Sequence, residues 1–471
     1  MRKERDSSVE KKNTFARILH RTDVLVLAFD AMIGWGWVVQ AGNWIESAGS
    51  LGAALAFIIG GVIIYFVGLV YAELTSAMPE CGGEHVFSKE AFGYNVSFIC
   101  SWSLVLGYLS VVLFEVVSLP TVLEYLFPNF SQIPLYTVAG YEVRLTWVLV
   151  GVLGALLITL INYLGIRFAA KLQTMLVMVM AAVGIALLSG SAAAGDRTNL
   201  EPLISNGTGG VLNVLVLVPF FYMGFDVIPQ AAEEINVPFK KIGSIILLSI
   251  VLAVLWHVIV IFSVSYVMAD SELRSASLVT ANAMKLAFGN SDLAAKILII
   301  GGISGIVTSW NAFFVGGSRA IYAMAESEML PRAFARISPK YKSPVTAILF
   351  IGAISCAAPF FGRQALLWIS NAGSISVCAS YFIVSLSFLK LRRSRPDMER
   401  PYRVKHGKLV GILASVLSGC VLLLFVVPVF PSCLSATEWL IIGVWTLAGL
   451  FLYLHSRYRK HGAEGRKYGD Q

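Results

Sequence analysis

The sequence predicts an all-α polytopic membrane protein with twelve transmembrane helices, and three observations carry that prediction. Of 471 residues, 57% are hydrophobic and 14% charged, with a mean hydropathy of +0.75, whereas a soluble domain carries about 25% charged residues. Long, nearly uncharged runs recur down the chain, and about 20 such residues span the hydrocarbon. Lys and Arg concentrate in alternate connections between those runs, which is the bias that orients membrane helices.

The opening stretch MRKERDSSVEKKNTFARILH is polar and basic. It predicts a tail followed by a retained span rather than a cleaved signal peptide. Span one covers about residues 23–46 and is interrupted by Gly34-Trp35-Gly36-Trp37. Glycine costs about 1 kcal/mol relative to alanine in a helix interior. Two in three residues are therefore either a built-in joint or a place where helices pack closely. Spans two to five follow at about 51–78, 96–120, 145–165 and 171–190. Span three carries Glu115 within YLSVVLFEVVSLP. A carboxyl at that depth marks a functional site or is satisfied by hydroxyls near the rim.

Span six, about 211–235, crowds Pro219, Gly224, Asp226 and Pro229 into LVPFFYMGFDVIPQAAEE. Proline removes a backbone donor and clashes with the preceding turn, so this span too is expected to break. The remaining spans fall at about 242–268, 293–325, 344–361, 365–390, 409–430 and 437–456. His257 stands alone in span seven and is expected to be a packed histidine. Span eight, GISGIVTSWNAFFVGGSR, offers the hydroxyls of Ser304, Thr308 and Ser309, a weak signal because such hydroxyls usually bond their own helix.

A cytoplasmic N-terminus puts Arg2, Lys3, Arg5, Lys11, Lys12, Arg17, Arg21, Lys89, Arg167, Lys171, Lys240, Lys241, Arg332, Arg336, Lys340 and Lys342 inside. The block KLRRSRPDMERPYRVKHGK and the tail RYRKHGAEGRK join them. Outside remain Arg144, Arg197, Arg274, Lys285, Lys296 and Arg363. Both termini are thus expected in the cytoplasm and the chain in a cell (plasma or inner) membrane. The net charge of +8 lies between spans rather than in one patch, which argues against a nucleic-acid partner. Six scattered cysteines without a CxxC or Cys/His cluster support neither a metal site nor a disulfide framework. No HExxH, GxSxG, Walker motif or filter loop is present, which speaks against an enzyme, an ATP-driven pump or a channel.

If five helices form one repeat and the next five an inverted copy, both interrupted spans open a repeat. Paired interruptions of that kind point to a transporter's binding site. The expected organisation is an N-terminal tail at 1–20, repeats at 21–190 and 205–391, a basic cytoplasmic loop at 392–408, helices eleven and twelve at 409–456, and a C-terminal tail at 457–471.

The motifs support this. IGWGW followed by AGSLGA, YAELTSAMPECGGEHVFSKEAFG, NYLGI, FYMGFDVIPQAAEE and SRAIYAMAESEMLP occur in order over the first ten spans. Together they resemble the amino acid–polyamine–organocation (APC) transporter superfamily. The resemblance implies a LeuT-like five-plus-five inverted repeat with discontinuous helices 1 and 6, moving an amino acid or small amine by alternating access. Backbone freed by unwinding must find partners, and an α-amino acid offers both charges.

By resemblance, the joint runs from Ile33 and Gly34 to Trp37, and amides around Trp35, Gly36 and Trp37 face the carboxylate. Carbonyls near Ala31, Met32, Phe220 and Met223 face the ammonium, and Gly224 lies in the second joint. Phe220 is the aromatic gate, Asn311 and Phe313 line the side-chain subsite, and Asp226, Glu233, Glu234 and Arg319 are gating charges. Trp35 stands where relatives often have a small residue, as either a pocket wall or an outward-packed indole. Met180 and Gly107 occupy positions where many proton-coupled relatives carry a lysine and a glutamate. Glu115, Ser304 and Thr308 are therefore the coupling candidates, with H+ or Na+ as the ion and no other cofactor. A non-amino-acid amine (polyamine or ethanolamine-like) as substrate, or a non-transporting sensor on the same fold, is the alternative.

Overall fold

The computed structural model describes residues 15–127, 129–275, 278–430 and 433–469. The basic residues expected ahead of position 15 and the last two residues of the C-terminal tail lie outside the described residues.

Span one becomes α1 (Arg21–Ile33), α2 (Gly36–Val39) and α3 (Ala41–Ala48). The next run, α4 (Ser50–Ala77), is followed by a short helix, α5 (Glu84–Phe92), between the predicted spans two and three. The 33-residue α6 (Tyr94–Leu126) continues through Pro120. A hairpin of β1 (Pro134–Val138) and β2 (Tyr141–Arg144) then leads into α7 (Leu145–Tyr163) and α8 (Ile166–Ala194). Span six is split into α9 (Gly207–Leu215), α10 (Val218–Phe221) and α11 (Val227–Gln230). After α12 (Phe239–Val267), two short helices, α13 (Asp270–Ser275) and α14 (Val279–Ala287), precede the 35-residue α15 (Asp292–Glu326). The chain ends with α16 (Val345–Ala357), α17 (Gln364–Ser394), α18 (Gly407–Val426) and α19 (Ala436–Gly469).

Among the described residues, ten helices are long and apolar enough to cross a membrane. The expected sixth and ninth spans are shorter apolar helices, Gly207–Phe221 and Val345–Phe361. The sixth is cut by its own glycine and prolines, and the ninth passes into a 3-10 turn at Ala358–Phe361.

The bundle is assembled around α15, with α1 packed between α8, α12 and α15. Glycines set the closest crossings. At Gly107 and Gly373, α6 and α17 nearly touch: a Cβ on the first would strike Val377, and on the second Ser110. On the outside, Leu149, Leu153, Leu156, Leu157 and Leu160 of α7 form an exposed stripe. Such a stripe would be a liability in water and is what hydrocarbon requires.

At the end where the basic connections gather, the loop after α17 folds back onto α4. The Glu73 carboxylate is fully buried and accepts from Arg392 Nε (2.9 Å), Arg400 Nε (3.0 Å) and the Val404 N–H (2.8 Å). Ser76 and Tyr402 add a second tie, the Tyr402 N–H donating to Ser76 Oγ at 3.1 Å.

Candidate functional site

Two interruptions meet at the middle of the bundle. α1 stops at Ile33 because Gly34 turns to φ 50°, ψ −144°, with its N–H donating to the Asp30 carbonyl at 3.1 Å. Trp35 is non-helical and the helix resumes at Gly36. The amides of Trp35, Gly36 and Trp37 therefore open a new helical segment, and no preceding turn supplies them with carbonyls. In span six, residues 222–226 are unwound and Gly224 adopts φ 139°. The Asp226 carboxylate holds this joint, accepting the Gly224 N–H at 2.7 Å and the Tyr108 hydroxyl at 3.0 Å. It thus sits at the joint rather than among gating charges. The joints abut: a Cβ on Gly224 would lie 2.9 Å from the Ala31 carbonyl carbon and the Met32 nitrogen.

Beside them lies a cavity walled on one side by Ala31, Met32, Ile33, Gly34, Trp35 and Gly36. Val111, Phe114 and Glu115 of α6 face it, with Phe220 and Phe221 of α10 and Ser309 and Phe313 of α15. The cavity between these residues is small, about 20 Å³. That is room for about one water, so loading a solute requires the walls to part. Trp35 stands among the cavity's lining residues and is 2% exposed, with its ring packed on Gly302 of α15. Glu115 is 2% exposed with Ser309 beside it, and its Oε2 has no partner. A Cβ at Gly34 would stand 3.1 Å from Glu115 Oε1 and 3.2 Å from Ser309 Oγ. The backbone angle demands glycine there, and the space for a side chain is tight.

Other expected site residues stand elsewhere. Trp37 is fully buried edge-on against Trp256, and its carbonyl accepts the Thr280 hydroxyl at 3.0 Å. Met223 and Gly224 lie in the second joint behind the cavity wall. Asn311 turns away to Asn162 (3.0 Å) and Gln173 (2.6 Å). The hydroxyls of Ser304 and Thr308 donate to their own helix, at Ile300 and Gly305. His257 stacks on Phe57 with centroids 4.9 Å apart, the packed histidine expected.

Towards the basic end, Arg319 and Glu234 form a two-pronged pair at 2.8 and 3.3 Å, each 1% exposed. Glu233 does not join it and accepts the Cys81 N–H at 3.1 Å. Phe15 lies over the Arg319 guanidinium, and the N–H groups of Ile18 and Leu19 donate to the Glu234 carbonyl. The segment ahead of α1 is thereby fastened to the end of span six.

Over residues 19–451 the chain matches the family described as amino acid permease. It belongs to that family. Its relatives include the methylthioribose transporter of Bacillus subtilis, 24% identical over 96% of each chain. The branched-chain amino acid permease of the same organism is 25% identical over 95% of this chain and 94% of its own. The aspartate–proton symporter of that species is 25% identical over 87% and 79%. The protein is thus a multi-pass membrane transport protein and not an enzyme.

Sequence reasoning missed Val111, Phe114 and Phe221 as walls of the permease's cavity. A signal was available for the first two: with Glu115 they stand at i, i+3 and i+4, one face of α6.

Proposed function

We propose that this permease is a secondary transporter that moves an amino acid or closely related small amine across the cell membrane by alternating access. The observation that carries the proposal is the meeting of the two helix joints beside one small cavity that holds a single carboxyl, Glu115. In this reading twelve spans form a LeuT-like five-plus-five inverted repeat, 21–190 and 205–391, and the basic end with both termini lies in the cytoplasm. The free amides at Trp35–Trp37 and the positive end of the segment they open favour a carboxylate. The carbonyls ending α1, at Ala31 to Ile33, favour an ammonium. Phe220 covers the site, Phe313 contacts the substrate side chain, and the Arg319–Glu234 pair keeps the cytoplasmic path shut.

Apart from Glu115 and Ser309 the side chains of the walls are apolar, which favours a small neutral amino acid over a second charged group. The relative that carries branched-chain amino acids fits that choice. Glu115 favours the second reading, an organic amine without a carboxylate, because it could pair with the ammonium alone. We read the coupling ion as H+ at Glu115 rather than Na+ at Ser304 and Thr308, a reading supported by the two hydroxyls' bonds to their own helix.

Ligands that bind only the folded state raise its melting temperature. A thermal-shift screen of the purified protein against the standard amino acids and simple amines, followed by counterflow of each hit in proteoliposomes, tests the proposal. Stabilisation by an apolar amino acid that is also exchanged supports it. Binding without exchange makes the protein a sensor, and stabilisation by amines alone selects the second reading.

A further inference from the structure

Asp30 takes no part in anything described above except through its backbone carbonyl. Its side chain is 0% exposed, and neither carboxyl oxygen has a hydrogen-bond partner. The Gln173 amide approaches it without closing a hydrogen bond. An ionised carboxylate in such a place, stripped of water and donors, is costly, whereas a protonated one is neutral.

Asp23, Leu27 and Asp30 are spaced four and three residues apart and so share one face of α1. Beside that face a second, narrow crevice of about 10 Å³ lies towards the basic end. Half-buried Asp23 stands at its mouth; Leu27, Gln173 and Asn311 line its depth. The polar chain continues there: Asn311 Nδ2 donates to Gln173 Oε1 at 2.6 Å and Gln173 Nε2 to the Thr308 carbonyl at 3.4 Å. Asp30 lies one turn further in, on the half-helix that ends at the Gly34 joint.

No charged neighbour competes for it. On α8, Arg167 and Lys171 are exposed near the first turns. On α12, Lys240 and Lys241 sit in the first turn, and His257 is stacked on Phe57. On α15, Arg319 is held by Glu234. Asp226, just before α11, is held by Tyr108 and Gly224, and Glu115 contacts Ser309 beyond the joint. Asp30 joins no ion pair among the described residues.

We propose that Asp30 is a proton-binding site on the cytoplasmic side of the joint, loaded when the crevice is closed and emptied when α1 swings away from α8 and α15. On opening, the carboxyl O–H bond breaks, the proton passes to water in the crevice, and the carboxylate keeps the electron pair. Sodium is the poorer occupant because the Ser304 and Thr308 hydroxyls are turned to their own backbone. This rests on the transporter reading, but the following measurements use no substrate, so either can fail while that reading stands.

The first is infrared spectroscopy of the purified full-length protein at neutral pH. Asp30→Asn should remove a component of the protonated-carboxyl band that Asp30→Glu and Glu115→Gln both retain. A band unchanged in Asp30→Asn overturns the proposal, as does loss of that component from the wild type when NaCl is added at fixed pH. The second places a cysteine at crevice residue Ala170 and follows its alkylation by mass spectrometry as pH rises. Beyond the thiol's own titration, the rate should climb about tenfold with Asp30 present, within the usual range for coupled equilibria. With Asp30→Asn it should follow the thiol alone. The same climb in both backgrounds overturns the proposal.

Discussion

At the scale of single residues, the cavity is governed by which face of a helix each side chain occupies. Ser309 and Phe313 are four apart on α15 and both reach the cavity. Asn311, two positions along, points to the opposite side, which is why a side-chain subsite built from both Asn311 and Phe313 does not form. Thr308 and Ser304, one and five positions from Ser309, also lie on other faces of α15. Glu115 is left as the ionisable group of the cavity, and burial without a full set of partners disfavours its charge. Glu115→Gln is nearly isosteric. It should keep substrate binding while flattening the dependence of uptake on external pH, measured as initial rates in cells. Full, pH-dependent uptake by the variant would make Glu115 structural.

At the scale of elements, the proposed alternating access assigns different work to the joints and to the fastening at the basic end. In that proposal the joints are where α1 and α11 move as short rigid pieces. The Arg319–Glu234 pair fixes where they rest, tying α15 to the end of span six. Arg319→Ala leaves Glu234 buried without its partner and should cost about 3–5 kcal/mol, whereas replacing both partners by leucine should recover much of that loss. Denaturation of the purified variants checks this. A single variant as stable as the wild type would mean that water reaches the pair and that it is no latch.

At the scale of the whole molecule, hydropathy located the ten helices that, among the described residues, are long and apolar enough to cross a membrane, because a long apolar run in lipid has no alternative to a helix. Span two, expected at about 51–78, is Ser50–Ala77. Both joints were legible because glycine and proline act locally on the backbone. The hairpin went unread although its signal is present: Ala139-Gly140, with φ 47° and 83°, is a two-residue turn between alternating strands. Asp30 went unread because one acid inside AFDAMIGWGW does not disturb the apolar average. Its isolation is a tertiary fact. Charge bias makes a further prediction: a reporter fused after Gln471 should be active on the cytoplasmic side, and activity only outside would reverse the topology.

The central claim is that substrate lies where the two joints meet, and Gly36 tests it. A Cβ there runs into the Phe221 ring, so Gly36→Leu fills the site at the backbone that must face the ligand. Gly209 is exposed with nothing near it, and Gly209→Ala serves as the control. With ligand at about 100 times its Kd, the wild type and the control should gain about 2.7 kcal/mol of stability. Gly36→Leu should insert and fold but gain nothing from the same ligand. Wild-type stabilisation of Gly36→Leu would place the substrate elsewhere and contradict the account.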